Sequence, residues 1–323
     1  MPKTTIIAVD TGNRYMKTEH FNFTSGIVSH GTVPPAVGTV DTIKYKGRYY
    51  SLTNARDAYR RDKTTDENYY VLTMAAVAKE LLETGNYAPG ETVNEHVTLA
   101  MGLPVAHLQK MREKYAAYFA KDDNKMEFEY NAQKFNIIID AVHVWPQGYA
   151  AAVVNKDFSK FADYQRAYII DIGGYTTDVC VFHNGTSDMS YVESINMGAI
   201  HLNNKVIAAI QQEVGVELDD IAVEALIRKD PKIKNAELFR VTDEAKQLYS
   251  DELMRKLTEK GIDFVTSCLI FMGGGSLLLK DNIQNFVKHD MLYFIEDVNA
   301  NAVGYNTLSK AMIKKMNAAG GER

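Results

Sequence analysis

Cysteine is scarce in this sequence. Only Cys180 and Cys268 occur among 323 residues; a disulfide framework is excluded by number, and each sits in an apolar run where it reads as a small packing residue. No segment approaches the ~18 uninterrupted apolar residues of a membrane-crossing helix. The opening "MPKTTIIAVD" has no apolar stretch of signal-peptide length, so a cytoplasmic protein is expected. Positive charge is also short, with 36 Lys+Arg against 41 Asp+Glu and a net charge of −5. Non-specific grip on DNA runs on Lys and Arg neutralising phosphates, so the balance argues against direct nucleic-acid binding unless a local basic patch overrides it. Low-complexity segments are absent.

What is present describes a soluble globular protein, with 46% hydrophobic and 24% charged residues. The length exceeds what one hydrophobic core usually supports, which points to two domains. "TIIAVD" (Thr5–Asp10) reads as a buried strand and "YMKTEHFNF" (Tyr15–Phe23) as its hairpin partner. Residues 26–50 are rich in Gly, Pro and Thr with short β pieces, as in a small insert. "NYYVLTMAAVAKELLETG" has helical periodicity through Leu72, Ala75, Ala76, Lys79 and Leu82, with Gly85 as its stop. Further strands are expected at His96–Pro104, in "FNIIIDAVHVWP", on both sides of Asp171 and in "MSYVESINM". Helices are expected near 105–120, 147–154, 200–214, 221–227 and 243–260, and in "VGYNTLSKAMIKKM" near the C-terminus. Strands alternating with helices give an α/β class.

One frame occurs twice. "VDTGNRYMK" (Val9–Lys17) and "IDIGGYTTD" (Ile170–Asp178) each run apolar strand, Asp, one residue, Gly, turn, return strand. A single D-x-G more often caps a tight turn, but the repetition half a chain apart suggests two similar lobes offering the same loop to a shared cleft. Glycine lets backbone N–H groups approach an anion with no Cβ in the way. Gly12 with Asn13, and Gly173 with Gly174, supply two such turns; Thr176 and Thr177 add hydroxyls, and Lys17 sits on the return strand, able to point at a phosphate. Two facing carboxylates, Asp10 and Asp171, would repel unless a hydrated Mg²⁺ lay between them. A third cluster, "FMGGGSLL" (Phe271–Leu278), stands between a strand and a helix. It is not G-x-G-x-x-G; a plain turn and a surface for a nucleoside are both open.

Five segments in order carry a family likeness: "VDTGNRYMK", "VHVWPQGYAAAV", "IDIGGYTTDV", "FMGGGSLL" and "DVNANAVGY". Together they resemble the two phosphate motifs, the two connecting helices and the adenosine motif of the actin-like ATPase superfamily. "WPQGYAA" and "NANAVGY" resemble most the ParM-type plasmid-segregation actins. The resemblance implies two ribonuclease H-like lobes around a nucleotide cleft, with a small inserted subdomain in the first. The first lobe would hold residues 1–144 and 304–323, with the insert at about 31–63, and the second 145–303. It implies ATP/ADP, with GTP left open, and Mg²⁺ held through water by Asp10 and Asp171. Asp171 would also help to orient the attacking water. Gly12, Asn13, Lys17, Gly173, Gly174, Thr176 and Thr177 would cradle phosphates, and Gly273, Gly274 and Gly275 would line the nucleoside. Gln147 falls where the superfamily often places a Glu or Gln that positions the hydrolytic water; a neutral amide orients water but is a poor base, so slow hydrolysis is expected. Glu224 is a ribose candidate or a solvated helix residue, and Gly198 permits a nucleotide-side helix start or a simple turn. Asp178 reads as a brace for the hairpin.

The function so implied is a filament-forming ATP hydrolase that moves plasmid DNA. Its partners would be further copies of itself, head to tail, and a DNA-binding adaptor protein on a plasmid centromere, with no direct nucleic-acid or membrane contact. The alternative is a small-molecule kinase on the same fold, which would need a carboxylate base reaching a substrate hydroxyl and a pocket for which the short lobes leave little sequence. A peptide-binding chaperone ATPase would need a domain after the last motif. In the tail, Leu308, Met312, Ile313 and Met316 form an apolar stripe beside Lys310, Lys314 and Lys315. Docking onto the first lobe's sheet is favoured over a membrane-surface helix.

Overall fold

The computed structural model describes residues 4–36, 38–55, 60 and 62–320. The chain divides into two compact units, residues 1–155 with 299–323, and residues 156–298.

The first unit begins with β1 (Thr5–Thr11), β2 (Tyr15–Lys17), β3 (Asn22–Thr24), β4 (Gly26–Gly31), β5 (Thr42–Tyr45) and β6 (Arg48–Thr53). Helix α1 (Asn68–Thr84), β7 (Val93–Leu103), α2 (Val105–Phe119), β8 (Lys125–Tyr130), β9 (Gln133–Pro146) and α3 (Tyr149–Val153) follow. They build a nine-stranded sheet in the order β3-β2-β1-β7-β9-β8-β5-β6-β4. β1, β7 and β9 run parallel at its centre, and β2 returns antiparallel to β1. Residues 31–63, expected as an insert, contribute β5 and β6; β5 pairs with β8, so these strands continue the same sheet.

The second unit comprises α4 (Phe158–Ala162), β10 (Ala167–Ile172), β11 (Thr177–His183), β12 (Thr186–Ile195), α5 (Ala199–Val214), α6 (Asp220–Ile227) and α7 (Ala236–Glu259). It ends with β13 (Cys268–Met272), α8 (Gly274–Leu278), α9 (Lys280–Phe286) and β14 (Leu292–Phe294). Its sheet has the order β12-β11-β10-β13-β14, with β10, β13 and β14 parallel. The chain then returns to the first unit as α10 (Ala300–Gly320). Among the described residues no helix is long and apolar enough to cross a membrane.

Side-chain alternation along the central strands separates two cores. Ile7, Val9, Leu99 and Met101 face one cluster with α1 and with Tyr115 and Phe119 of α2. Ala8 and Ala100 face the other way, against Ala150 of α3 and Ala302 and Tyr305 of α10. The first face is filled by bulk and the second by small residues, so the helices on the second lie close to the sheet. A Cβ on Gly304 would overlap the backbone carbonyl of Ala150, and one on Gly102 would overlap the Tyr305 ring. Helix α1 is buried almost all round, from Tyr69 through Ala78, as an apolar helix inside a large unit must be. Its Lys79 is not a surface residue: the ammonium pairs with Asp41 at 2.6 Å and lies over the rings of Phe21, Phe23 and Tyr130. Gly85 ends the helix as expected, its N–H donating to Leu81.

The first compact unit keeps the chain to Asn155 and regains it at Asn299. The cause is local bonding. The Gln147 amide donates to Leu103 and the Gly148 amide to the Asn301 side chain, both at 2.9 Å. The tail docks in the first unit, but its buried face is Ala302, Tyr305, Asn306 and Ser309. The Trp145 indole donates to the Ser309 hydroxyl at 2.8 Å. Of the stripe read from sequence, Leu308 packs on this core, whereas Met312 and Met316 are 37% and 60% exposed.

Two consequences are measurable. Gly304→Ala should force α3 and α10 apart and cost about 1–3 kcal/mol, seen as a lower urea midpoint; an unchanged midpoint would refute the close approach. His20, in the turn between β2 and β3, meets buried Glu80 through both its amide and its ring, at 3.0 and 2.7 Å. The hydrogen bond to Glu80, with the charges of Glu80, Glu19 and Glu83 behind it, raises the imidazole pKa above its ordinary value of 6.5 against an opposing effect of burial. A raised folded-state pKa stabilises below the unfolded value and loses that contribution as pH rises through the folded one. His20→Gln should therefore lower the melting temperature at pH 5–6 and converge with the parent above the folded pKa; a pH-independent difference would refute the linkage.

Candidate functional site

The two repeated frames fold into matching hairpins, one in each unit. In the first, Asp10 at the end of β1 lies opposite Lys17; in the second, Asp171 on β10 lies opposite Asp178. Directly opposed residues in an antiparallel pair share a face, so the same register position carries a cation in one hairpin and an anion in the other.

In the first hairpin Asp10 is 4% exposed, and its carboxylate accepts from the Gln147 amide at 2.8 Å. That contact brings together two residues 137 positions apart. Gln147 is held by its own amide bond to Leu103 and by the turn at Gly148, whose φ of 75° is the left-handed conformation that glycine tolerates. Gly12 is tightly enclosed: a side chain there would overlap the Tyr15 carbonyl, and the Ser25 hydroxyl donates to the Gly12 carbonyl at 2.7 Å. The Asn13 side-chain oxygen accepts from the Tyr69 hydroxyl at 3.0 Å. Lys63, buried between Thr11 and the Tyr69 ring, donates to the Thr11 carbonyl. The half-buried Lys17 ammonium makes no ion pair among the described residues. The backbone N–H of Asn13 is likewise unbonded among them. The first turn thus presents a backbone donor and a cation, both without partners among the described residues, beside a buried carboxylate.

In the second hairpin, Gly173 donates to the Thr176 carbonyl at 2.9 Å and closes the turn, while the Gly174 amide is unbonded among the described residues. Both threonine hydroxyls, expected as phosphate donors, are engaged inside the protein. Thr176 donates to Asp178 at 2.9 Å, and fully buried Thr177 donates to the Met197 carbonyl at 2.5 Å. Asp178 thus takes a bond that stiffens the turn. Gly198 stands before α5 and touches Gly174; a Cβ there would come within 2.5 Å of the Gly174 oxygen. The third cluster meets the second hairpin directly. Gly273 has φ 82°, and a Cβ on it would overlap the Asp171 carboxylate; one on Gly275 would overlap Ile172. Gly274 has open space at that position. Glu224 on α6 is held by a two-pronged contact from Arg228, at 2.9 and 3.2 Å.

Sequence motifs do not mark Lys246. It is 7% exposed on α7, and burial lowers the pKa of its ammonium. No hydrogen bond or ion pair holds that ammonium among the described residues. The Asn203 side-chain oxygen and Thr242 hydroxyl are also buried without partners among them. Buried polar atoms left so are costly in a folded protein and are commonly explained by a ligand or ordered water. A lone lysine on a charged helix gives no sequence signal; its burial does.

The residues suit a hard cation held at a distance. Among the described residues no three His, Cys, Asp or Glu side chains converge as a direct metal cage. Asp10 is a buried carboxylate with an amide and, among the described residues, no cation bonded to it. Such an oxygen suits Mg²⁺ reached through water.

Family models match both halves of the chain. The N-terminal domain of actin-like proteins matches residues 8–149, and the C-terminal domain of archaeal MreB-like actin homologues matches residues 169–285. The chain belongs to the actin-like superfamily. Solved actin-like structures share its fold at low identity. The actin-like protein Alp7A has a TM-score of 0.76 and 15% identity, over 98% of each chain. The ParM of a 15-stranded filament from Clostridium botulinum gives 0.74 and 19%, over 96% of this chain and all of that one. The archaeal actin homologue Ta0583, in complex with ADP, gives 0.73 and 15%, over 95% and 100%. No curated protein matches the sequence.

Lys246→Met should stabilise the ligand-free actin-like chain by about 1–2 kcal/mol, because it removes a desolvated charge at similar volume. A fall in the urea midpoint would show instead that the ammonium is internally satisfied.

Proposed function

We propose that this chain is a nucleotide-dependent polymer-forming ATPase. The observation that carries the reading is the pair of glycine turns, each at the end of a buried strand and beside an Asp, in a chain whose two halves match actin-like domains. Lys17 and the Asn13 amide in the first turn, and the Gly174 amide in the second, would bind phosphates. Gly12 and Gly173 let the backbone reach them, with Thr176 and Thr177 bracing the second turn from within. Gly273, Gly274 and Gly275 would face the nucleoside, with buried Lys246 as a further polar contact and Gly198 and Glu224 at its margins. Asp10 and Asp171 would hold Mg²⁺ through water. When bound, that ion would neutralise charge on the phosphates.

Gln147, fixed by Asp10, can orient a water through its amide but cannot accept the water's proton at neutral pH. Asp171 can accept a hydrogen bond from that water and hold its proton transiently. Slow turnover follows, since Gln147 orients the water without acting as its base.

The ADP complex of the archaeal homologue supports adenine nucleotide as the ligand, and the filament structures of a ParM and of Alp12 support head-to-tail self-assembly. Heterologous contacts that do not close into a ring give open filaments. We assign the role to plasmid DNA segregation in the cytoplasm, reached through a DNA-binding adaptor because the chain is acidic. Sedimentation and electron microscopy of the purified chain should show filaments with ATP or GTP and none without; no assembly at any concentration would sink the polymer reading. Asp171→Ala should lower phosphate release at least about 100-fold while nucleotide binding persists, and undiminished release would remove Asp171 from the reaction.

A further inference from the structure

The inference deepens the nucleotide-binding reading and rests on it. It concerns how α7 is joined to the second turn. Tyr249 is 2% exposed, and its hydroxyl donates to the carbonyl of Gly198 at 2.8 Å. Gly198 immediately precedes α5. The first two amides of that helix, on Ala199 and Ile200, donate to the carbonyls of Gly173 and Gly174, both at 2.9 Å. Helix N-terminal amides normally lack intrahelical partners; here the turn supplies them. With no Cβ on Gly198, its backbone rests on that of Gly174. The path from α7 through Tyr249 and Gly198 to the turn therefore consists of hydrogen bonds and backbone contact, with no flexible side chain in it except the buried tyrosine.

We propose that Tyr249 is a positioning residue for phosphate binding. Its hydroxyl fixes Gly198, and Gly198 with the start of α5 fixes the carbonyls of the second turn, so the Gly174 amide is held toward an anion. Tyr249 itself touches no ligand. Lys246 lies one helical turn earlier on the same face of α7. The helix that would meet the nucleoside thus also sets the geometry of the phosphate turn. Removing the hydroxyl leaves the Gly198 carbonyl bonded only within its own helix, to the amides of His201 and Leu202 at 3.0 and 3.3 Å, so its tie to α7 is lost and the turn is free to relax.

The test compares ADP with adenosine on the full chain. Tyr249→Phe keeps the ring and removes the hydroxyl. It should weaken ADP binding about tenfold and leave adenosine binding, followed by NMR titration, unchanged. Ala199→Pro, which by a different route removes the amide that holds the Gly173 carbonyl, at a first helical position that tolerates proline, should show the same selective loss. This second variant decides the matter if Tyr249→Phe does not fold by circular dichroism. Equal loss of both ligands would indicate a general structural role and overturn the proposal, as would ADP affinity that does not change. If the parent chain binds neither ligand, the nucleotide reading has failed and the inference falls with it. If the parent binds both and the variants match it, only the inference fails.

Discussion

The burial of Asp10 constrains the first unit more than any other single feature. A carboxylate at 4% exposure must be compensated, and the amide that does so comes from Gln147, far along the chain. Holding Gln147 in reach requires β9 to run parallel to β7 to its end, a left-handed glycine at 148, and α3 seated on the alanine face of the sheet. That seating requires α10 to return and cover α3 at the glycine crossing. The placement of one polar contact thus accounts for why small residues gather on this face while bulk fills the other.

The second unit solves the corresponding problem differently. Asp171 is packed against the backbone at Gly273, and its turn is anchored from behind by α5 and Tyr249. The shared frame is a statement about backbone shape, since both hairpins place the Asp at the same register. The chemistry around each Asp has diverged, as Lys17 against Asp178 shows.

Much of this was legible in the sequence because it is written in backbone requirements. The repeated strand–Asp–x–Gly frame, the stop at Gly85 and the strand, glycine turn and helix after Cys268 all appear where residue type forces the geometry. Contacts between distant segments were harder to read. The joining of β5 to β8 depends on pairing across most of the first unit, and no local pattern encodes it. Helix α7 starts at Ala236 because Asn235 caps it through the amides of Glu237 and Leu238, earlier than its apolar periodicity suggested. The C-terminal helix misled for a physical reason. Its docking face is built from Ala302, Asn306 and Ser309, whose hydrogen bonds and small size suit a close approach, so the methionines marked a different stripe. Lys246 carries no motif, and only its burial singles it out.

The crossing of α3 and α10 has a mechanical meaning. The chain leaves the first unit after Asn155 and re-enters it at Asn299, so both covalent links emerge from helices whose backbones touch at Ala150 and Gly304. A residue larger than glycine at 304 would part those two helices a few residues from Gln147, and so loosen the amide that grips Asp10.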